Sequence, residues 1–299
     1  MENSGKRILV TGGGGQLAQC LKNQIPKNTA DEFLFVSRKE LDITNTTAIK
    51  KLFADFKPQI VVNTAAYTQV DRAEEEPDLA YSINNEALKS LAEVCRDFGA
   101  MLIHISTDYV FDGNGDLPYK EEHKTNPQTV YGASKYAGEE ALLNSGLKQF
   151  YIIRTSWLYS EYGHNFYRTM QRLANEKDTL QIVNDQQGCP TNANDLALGI
   201  LKIIAATNNN NNNSNKITCG IYHFSNRGNT TWYGFALEIF RLKEIKITVI
   251  PVSSASFPTR AKRPSYSVLN SDKFSKTFDF QIPEWEKSLS DLIDENKDV

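Results

Sequence analysis

Tyr131 and Lys135 stand four residues apart in the run Tyr131-Gly132-Ala133-Ser134-Lys135, downstream of the apolar stretch 100–106, which closes on Thr107-Asp108-Tyr109. On a helix, residues i and i+4 share a face, so the ammonium of Lys135 is expected beneath the phenol of Tyr131. A free phenol holds its proton too tightly to exchange it near neutrality, and a neighbouring cation lowers its pKa toward the working range. With Thr107 holding a carbonyl oxygen and Tyr131 protonating it, the chemistry is reduction of a ketone, provided that a hydride arrives from the other side. Chance alone supplies about one Tyr-x-x-x-Lys pair in a chain of this composition, so the pair needs a cofactor site to give it meaning.

The N-terminal elements offer one. Residues 6–11 read as a buried strand, followed by Gly12-Gly13-Gly14-Gly15-Gln16-Leu17-Ala18 and an amphipathic segment with Leu17, Cys20, Leu21 and Ile25. Strand, glycine turn and helix together form a phosphate-binding arrangement: Gly12 and Gly15 let the backbone approach a pyrophosphate, and the helix start at Gln16 and Leu17 offers N–H donors. A second strand, 32–36, ends at Ser37-Arg38 with no acid to receive a ribose 2′-hydroxyl, so these two residues lean the site toward the 2′-phosphate of NADPH. A helix through Phe56 follows Leu41-Asp42-Ile43, and Asp42 and Ile43 are expected to flank the adenine. The strand 59–63 leads to Ala65, Ala66 and Tyr67, where small residues allow a nucleotide to pass closely. A helical pattern over 77–98 stops at Gly99 and feeds the strand that ends at Thr107.

This alternation predicts an α/β chain, a doubly wound parallel Rossmann sheet, with ligands bound beyond the carboxyl ends of its strands. Gly12, Ser37, Ala65 and Thr107 all fall there. A further strand, 150–157, carries Trp157 to the rim of the same crevice. Beyond it the alternation loosens, and a second, smaller α/β substrate-binding domain is expected. The division is 1–157 with about 195–228 for the NAD(P)-binding domain, and about 158–194 with 229–299 for the other. The asparagine run 208–213 reads as a surface loop. In Thr259-Arg260-Ala261-Lys262-Arg263-Pro264, Lys262 reads as solvated, whereas the Arg263 guanidinium suits a diphosphate.

Composition narrows the classes. With 299 residues, 40% hydrophobic, and a net charge of −3, a basic nucleic-acid surface or an anionic-membrane surface is not expected. No apolar run is long enough to span a bilayer and the start is polar, so the expected location is the cytoplasm. Four scattered cysteines and four scattered histidines suggest reduced thiols and no structural zinc.

Taken together, these motifs resemble the extended short-chain dehydrogenase/reductases, and within them the dTDP-4-dehydrorhamnose reductase family. The likeness is carried by Gly12-x-x-Gly15-Gln16-Leu17, Leu41-Asp42-Ile43, the stretch from Val61 to Asp71, Ser106-Thr107-Asp108-Tyr109-Val110-Phe111-Asp112-Gly113, Tyr131-Gly132-x-Ser134-Lys135-x-x-Gly138-Glu139, Arg154-Thr155-Ser156-Trp157, Gln187-Gly188-x-Pro190-Thr191 and Arg263-Pro264, in family order. The resemblance implies reduction by NADPH (or NADH) of the C4 ketone of dTDP-4-dehydro-6-deoxy-L-mannose to dTDP-L-rhamnose. Tyr131 is then the acid, Lys135 tunes it and holds the nicotinamide ribose, Thr107 binds the carbonyl, and Thr107, Asp108 and Trp157 touch the sugar nucleotide. Some members are homodimers linked by Mg2+ through glutamates near the first helix. The segment Gln16-Leu17-Ala18-Gln19-Cys20 has no acid, so no metal is expected here, and a homodimer stays open.

Two rival readings remain. A nucleotide-sugar dehydratase on this scaffold commonly uses an Asp-Glu pair after the threonine, where this chain has Asp108-Tyr109. A non-catalytic, NADP-binding regulatory subunit, as found among relatives of this family, could keep the same triad without turnover.

Overall fold

The computed structural model describes residues 5–207 and 218–295. The asparagine run lies outside them. The first half builds β1 (Arg7–Thr11), α1 (Gln16–Gln24), β2 (Glu32–Val36), α2 (Thr46–Phe56), β3 (Ile60–Asn63), α3 (Val70–Ala73), α4 (Pro77–Tyr81), α5 (Ala87–Phe98), β4 (Met101–Thr107), α6 (Val130–Leu143) and β5 (Phe150–Thr155). The second half adds β6 (Leu158–Tyr159), α7 (Phe166–Glu176), β7 (Thr179–Val183), β8 (Gln187–Gly188), β9 (Thr191–Asn192), α8 (Ala193–Ala206), β10 (Gly220–His223), β11 (Thr230–Thr231), α9 (Trp232–Leu242), β12 (Thr248–Val252), α10 (Asp272–Phe278) and α11 (Trp285–Glu295).

Six strands form one parallel sheet in the order β10-β5-β4-β3-β1-β2. From β1 the chain runs outward to β2 and then crosses to β3, so the order reverses between β1 and β3 and opens the crevice where such sheets bind ligands. Because helices cover both faces, the strands are apolar in both directions. One face buries Ile8, Val10, Val62, Ile103 and Ile153 beneath α1 and α8, and the other buries Leu9, Val61, Leu102 and Ile152 beneath α2 and α5. No helix among the described residues is long and apolar enough to cross a membrane.

A second core forms from Tyr159, Tyr167, Leu180, Phe235, Ile239, Trp285 and Leu289, joining α7, β7, α9 and α11. Within the C-terminal part of the chain, Phe274, Phe278 and Ile282 pack into the core of the large sheet, while Trp285 and Leu289 after them belong to the second core. Residues around 272–282 therefore return to the first lobe. The single helix predicted over 77–98 is also broken, by a π-helical turn at Ser82–Glu86. That turn aims Asn84 inward. Its Oδ1 accepts the Tyr67 N–H at 2.9 Å, while its Nδ2 donates to the Tyr67 carbonyl at 3.1 Å and to Ser134 Oγ at 3.0 Å.

The helix that matters most, α6, starts at Thr129, whose hydroxyl caps the Gly132 N–H. Its glycines let it lie close to neighbours: a Cβ on Gly132 would sit 2.2 Å from the Tyr109 carbonyl oxygen, and one on Gly138 would sit 2.1 Å from the Asn84 carbonyl oxygen. A buried ion pair fixes its rotation. Arg154 of β5 reaches Glu139 at 2.6 Å and Ser106 donates to the same carboxylate at 2.5 Å, all three groups being buried. Removing one partner strands the other charge in the interior. Arg154→Met is therefore expected to cost roughly 3–5 kcal/mol, read by urea unfolding, whereas the double change with Glu139→Leu recovers much of that loss.

Candidate active site

The glycine turn sits at the crossover point. Gly12 has φ +70°, and a Cβ there would lie 2.8 Å from the Ala65 nitrogen and the Thr64 hydroxyl, so the turn and the end of β3 touch only because this residue has no side chain. The Gly13 N–H binds the Val36 carbonyl at 2.8 Å, which draws the turn against β2 as well. Helix α1 begins after Gly15 with no side-chain cap, leaving its first N–H groups open toward the crevice. This cradle fits a pyrophosphate. Two of the residues chosen from sequence can take part only through their backbone. Leu17 is buried in the core, and the Gln16 side chain is committed to the other lobe, accepting from Asn165 at 3.1 Å and donating to the Leu158 carbonyl at 3.2 Å.

The end of β2 differs from expectation, because an acid does stand there. Glu40 turns back so that its carboxylate accepts from the Ser37 N–H and hydroxyl, both at 2.7 Å, and these bonds hold its pKa below the usual carboxylate range. Arg38 extends into solvent, 3.8 Å from Asp42. Asp42 itself accepts from the Thr44 N–H and hydroxyl, so it shapes the turn before α2, and Ile43 beside it is buried. Ala65 and Ala66 are half-buried at the end of β3, and Tyr67 packs beside Tyr131 in a small cluster with Ala73 and Ala80.

Thr107, Asp108 and Tyr131 meet at the end of β4. Thr107 donates to Asp108 Oδ1 at 2.9 Å, and hydrogen bonding with Thr107 eases the Tyr131 phenol, whose pKa burial otherwise pushes well up. The expected acidification by Lys135 does not appear in this geometry. The lysine is fully buried, donates to the Ile105 carbonyl at 2.6 Å and lies 3.2 Å from His104 Nε2. Burial lowers it to about 8, with Glu139 pulling the other way. Lys135 thus faces the sheet, and neither His104 nor Asn63 behind it was singled out from sequence, since each reads as an ordinary strand residue.

The second lobe closes over this point. Arg263 pairs with Asp71 and donates to the Tyr109 hydroxyl at 3.0 Å, so it meets a carboxylate where a diphosphate was expected. Beside it a cavity of about 70 Å³ is lined by Tyr109, Asp112, Gln128, Lys262, Arg263 and Ser265, among others. Trp157 is held in a left-handed conformation, φ +46°, with its ring stacked on Trp232 at 3.5 Å between centroids. A side chain on Gly188 would enter that indole at 2.3 Å, which explains glycine there. Among the described residues no group of three or more His, Cys, Asp or Glu is gathered as a metal site would need.

Fold and site together define a short-chain dehydrogenase/reductase. The family model described as RmlD substrate binding domain matches residues 6–297. A dTDP-4-dehydrorhamnose reductase of Sinorhizobium fredii is 40% identical over 291 residues, covering 96% of either chain. A crystal structure of the Bacillus anthracis dTDP-4-dehydrorhamnose reductase in complex with NADP superposes with a TM-score of 0.91 at 38% identity, covering 98% of this chain and all of that one. The Clostridium acetobutylicum ortholog gives 0.89 at 42% identity, covering 96% of this chain and 98% of its own. The chain belongs to the dTDP-4-dehydrorhamnose reductase family.

Asp108 yields a pH-dependent expectation. Burial raises its carboxyl from 3.8 to about 6, against hydrogen bonds from Thr107 and Ser267 that favour the charged form. The unfolded chain loses this proton near the ordinary value while the folded chain keeps it to about 6, so stability falls as pH rises through that window and the loss persists above it. Asp108→Asn should therefore raise the thermal unfolding midpoint at pH 8, and the gain should vanish at pH 4.

Proposed function

We propose that this protein is an NADPH-dependent nucleotide-sugar reductase that converts the C4 ketone of dTDP-4-dehydro-6-deoxy-L-mannose to the alcohol of dTDP-L-rhamnose, in the cytoplasm. The single observation that carries this reading is that the start of α6, bearing Tyr131, packs against Tyr109 just after Thr107 at the end of β4, at the mouth of a sheet crevice whose glycine turn is shaped for a pyrophosphate. The NADP bound to the Bacillus anthracis relative and the shared name of the similar proteins support the cofactor and the substrate.

The roles follow from the chemistry of each group. The backbone N–H groups at the start of α1 and the turn at Gly12 hold the pyrophosphate, with Ala65 and Ala66 leaving room beside it. Ser37 and Arg38 receive the ribose 2′-phosphate once Glu40 gives up the Ser37 donors, and Asp42 with Ile43 borders the adenine. When bound, the nicotinamide supplies the hydride. Thr107 orients the ketone oxygen, and Tyr131 gives it a proton as negative charge develops there. Burial that keeps the Tyr131 phenol protonated in the resting site suits a donor. Lys135 holds the nicotinamide ribose and, in its protonated form, steadies the phenolate left behind. Asp108 and Trp157 contact the sugar, and Arg263 exchanges Asp71 for the diphosphate, for which its fork of N–H donors is suited.

Incubating the purified protein with NADPH and dTDP-4-dehydrorhamnose tests the activity. Nicotinamide absorbance should fall with formation of dTDP-L-rhamnose, and a flat trace would leave only a nucleotide-binding protein. Tyr131→Phe is expected to lower kcat by at least about 100-fold while NADPH binding, followed by fluorescence, stays within about threefold. Near-normal turnover by that variant would overturn the assignment of the acid.

A further inference from the structure

One row of side chains breaks the apolar pattern on the sheet face beneath α5 and α6. Leu9, Val61 and Leu102 lie side by side across β1, β3 and β4, and two residues further on the same register brings Thr11, Asn63 and His104 together. The row ends at Ile152 of β5. All three polar residues are at most 1% exposed, and Lys135, 1% exposed, meets them from α6. An apolar row would satisfy the core equally well, since replacing paired polar groups by apolar ones of like shape costs little.

The contacts have a direction. Thr11 Oγ1 donates to Asn63 Oδ1 at 2.6 Å, which leaves the Asn63 amide nitrogen facing His104 Nδ1 at 3.0 Å. An amide nitrogen only donates, so Nδ1 accepts and a neutral His104 carries its proton on Nε2. That Nε2 faces Lys135 Nζ at 3.2 Å. Against an ammonium this contact sets donor against donor, whereas against an amine it is a hydrogen bond, and Lys135 can still donate to the Ile105 carbonyl.

We propose that His104, oriented by Asn63 and Thr11, is a positioning residue that holds Lys135 and favours its uncharged amine over the ammonium. Its importance for turnover rests on the reductase reading, but the direction of the chain does not. Burial acts in the same sense, lowering Lys135 and holding His104 well below the ordinary histidine range. Opposing it is Glu139, one turn along α6, whose charge is taken up by Arg154 of β5 and by Ser106 of β4. Asn84 and Ser134, which meet where the π turn packs on α6, do not titrate. Asp108 and Tyr109, at the end of β4, act on Tyr131.

The test needs no substrate. In protein labelled with 15N-histidine, long-range proton–nitrogen spectra should give His104 the Nε2–H tautomer at pH 7, its signal assigned by loss in His104→Gln. In 13C-lysine protein, Lys135 should titrate below ordinary lysine. Asn63→Asp places a carboxylate where Nδ1–H can donate to it, reverses the chain, and should raise that titration by at least about one unit, a tenfold change in proton affinity. The basic limb of the kcat profile should move with it while the ketone KM holds. An Nδ1–H or imidazolium form of His104, or a Lys135 titration unmoved in Asn63→Asp, overturns the proposal. Should that variant not fold, the wild-type tautomer decides alone. Absence of turnover with the expected spectra would count against the reductase reading only.

Discussion

The site depends on how α6 is clamped. One helix face carries Tyr131, Lys135 and Glu139, each a turn from the next, and the Glu139–Arg154 pair ties the far end to β5 while Thr129 caps the near end. Taking two charges out of water is expensive, so such a pair adds little net stability over a well-packed apolar pair. What it gives is a fixed rotation of α6. A helix held only by apolar contacts can settle with small rotations, but one whose carboxylate must meet a guanidinium and the Ser106 hydroxyl has a single seating, and Tyr131 is then carried to Thr107.

Much of the architecture is legible because it follows local rules. Strands apolar on both faces, a glycine turn at the first strand end and a helix stop at Gly99 each have a physical cause confined to a few neighbouring residues. Gly12 and Thr107 could be placed at one crevice because a parallel sheet aligns its strand ends. The residues that escaped notice owe their positions to distant partners. Glu40 reads as a surface acid until the turn brings it onto Ser37, and Asn84 reads as one polar residue in a helical pattern until a π turn aims it at Tyr67. His104 reads as a strand residue until the register sets it beside Asn63.

Arg263 and Lys135 teach a related lesson. Residue type predicted the chemistry each could do but not its partner in the fold: the Arg263 guanidinium pairs with Asp71, and the Lys135 side chain expected under a phenol turns to a carbonyl and an imidazole. Buried or half-buried charges do not wait unpaired.

The course of the chain through its two lobes has a further consequence. β10 pairs with β5 only after α7, β7 and α8 have intervened, and α10 then returns to cover that end of the sheet. During synthesis the hydrogen-bonding edge of β5 stays open for a long stretch of translation, an invitation to mispairing between nascent chains. Such non-local closure makes the last strand's pairing costlier in chain entropy, and slower to form, than in a sheet completed in sequence order.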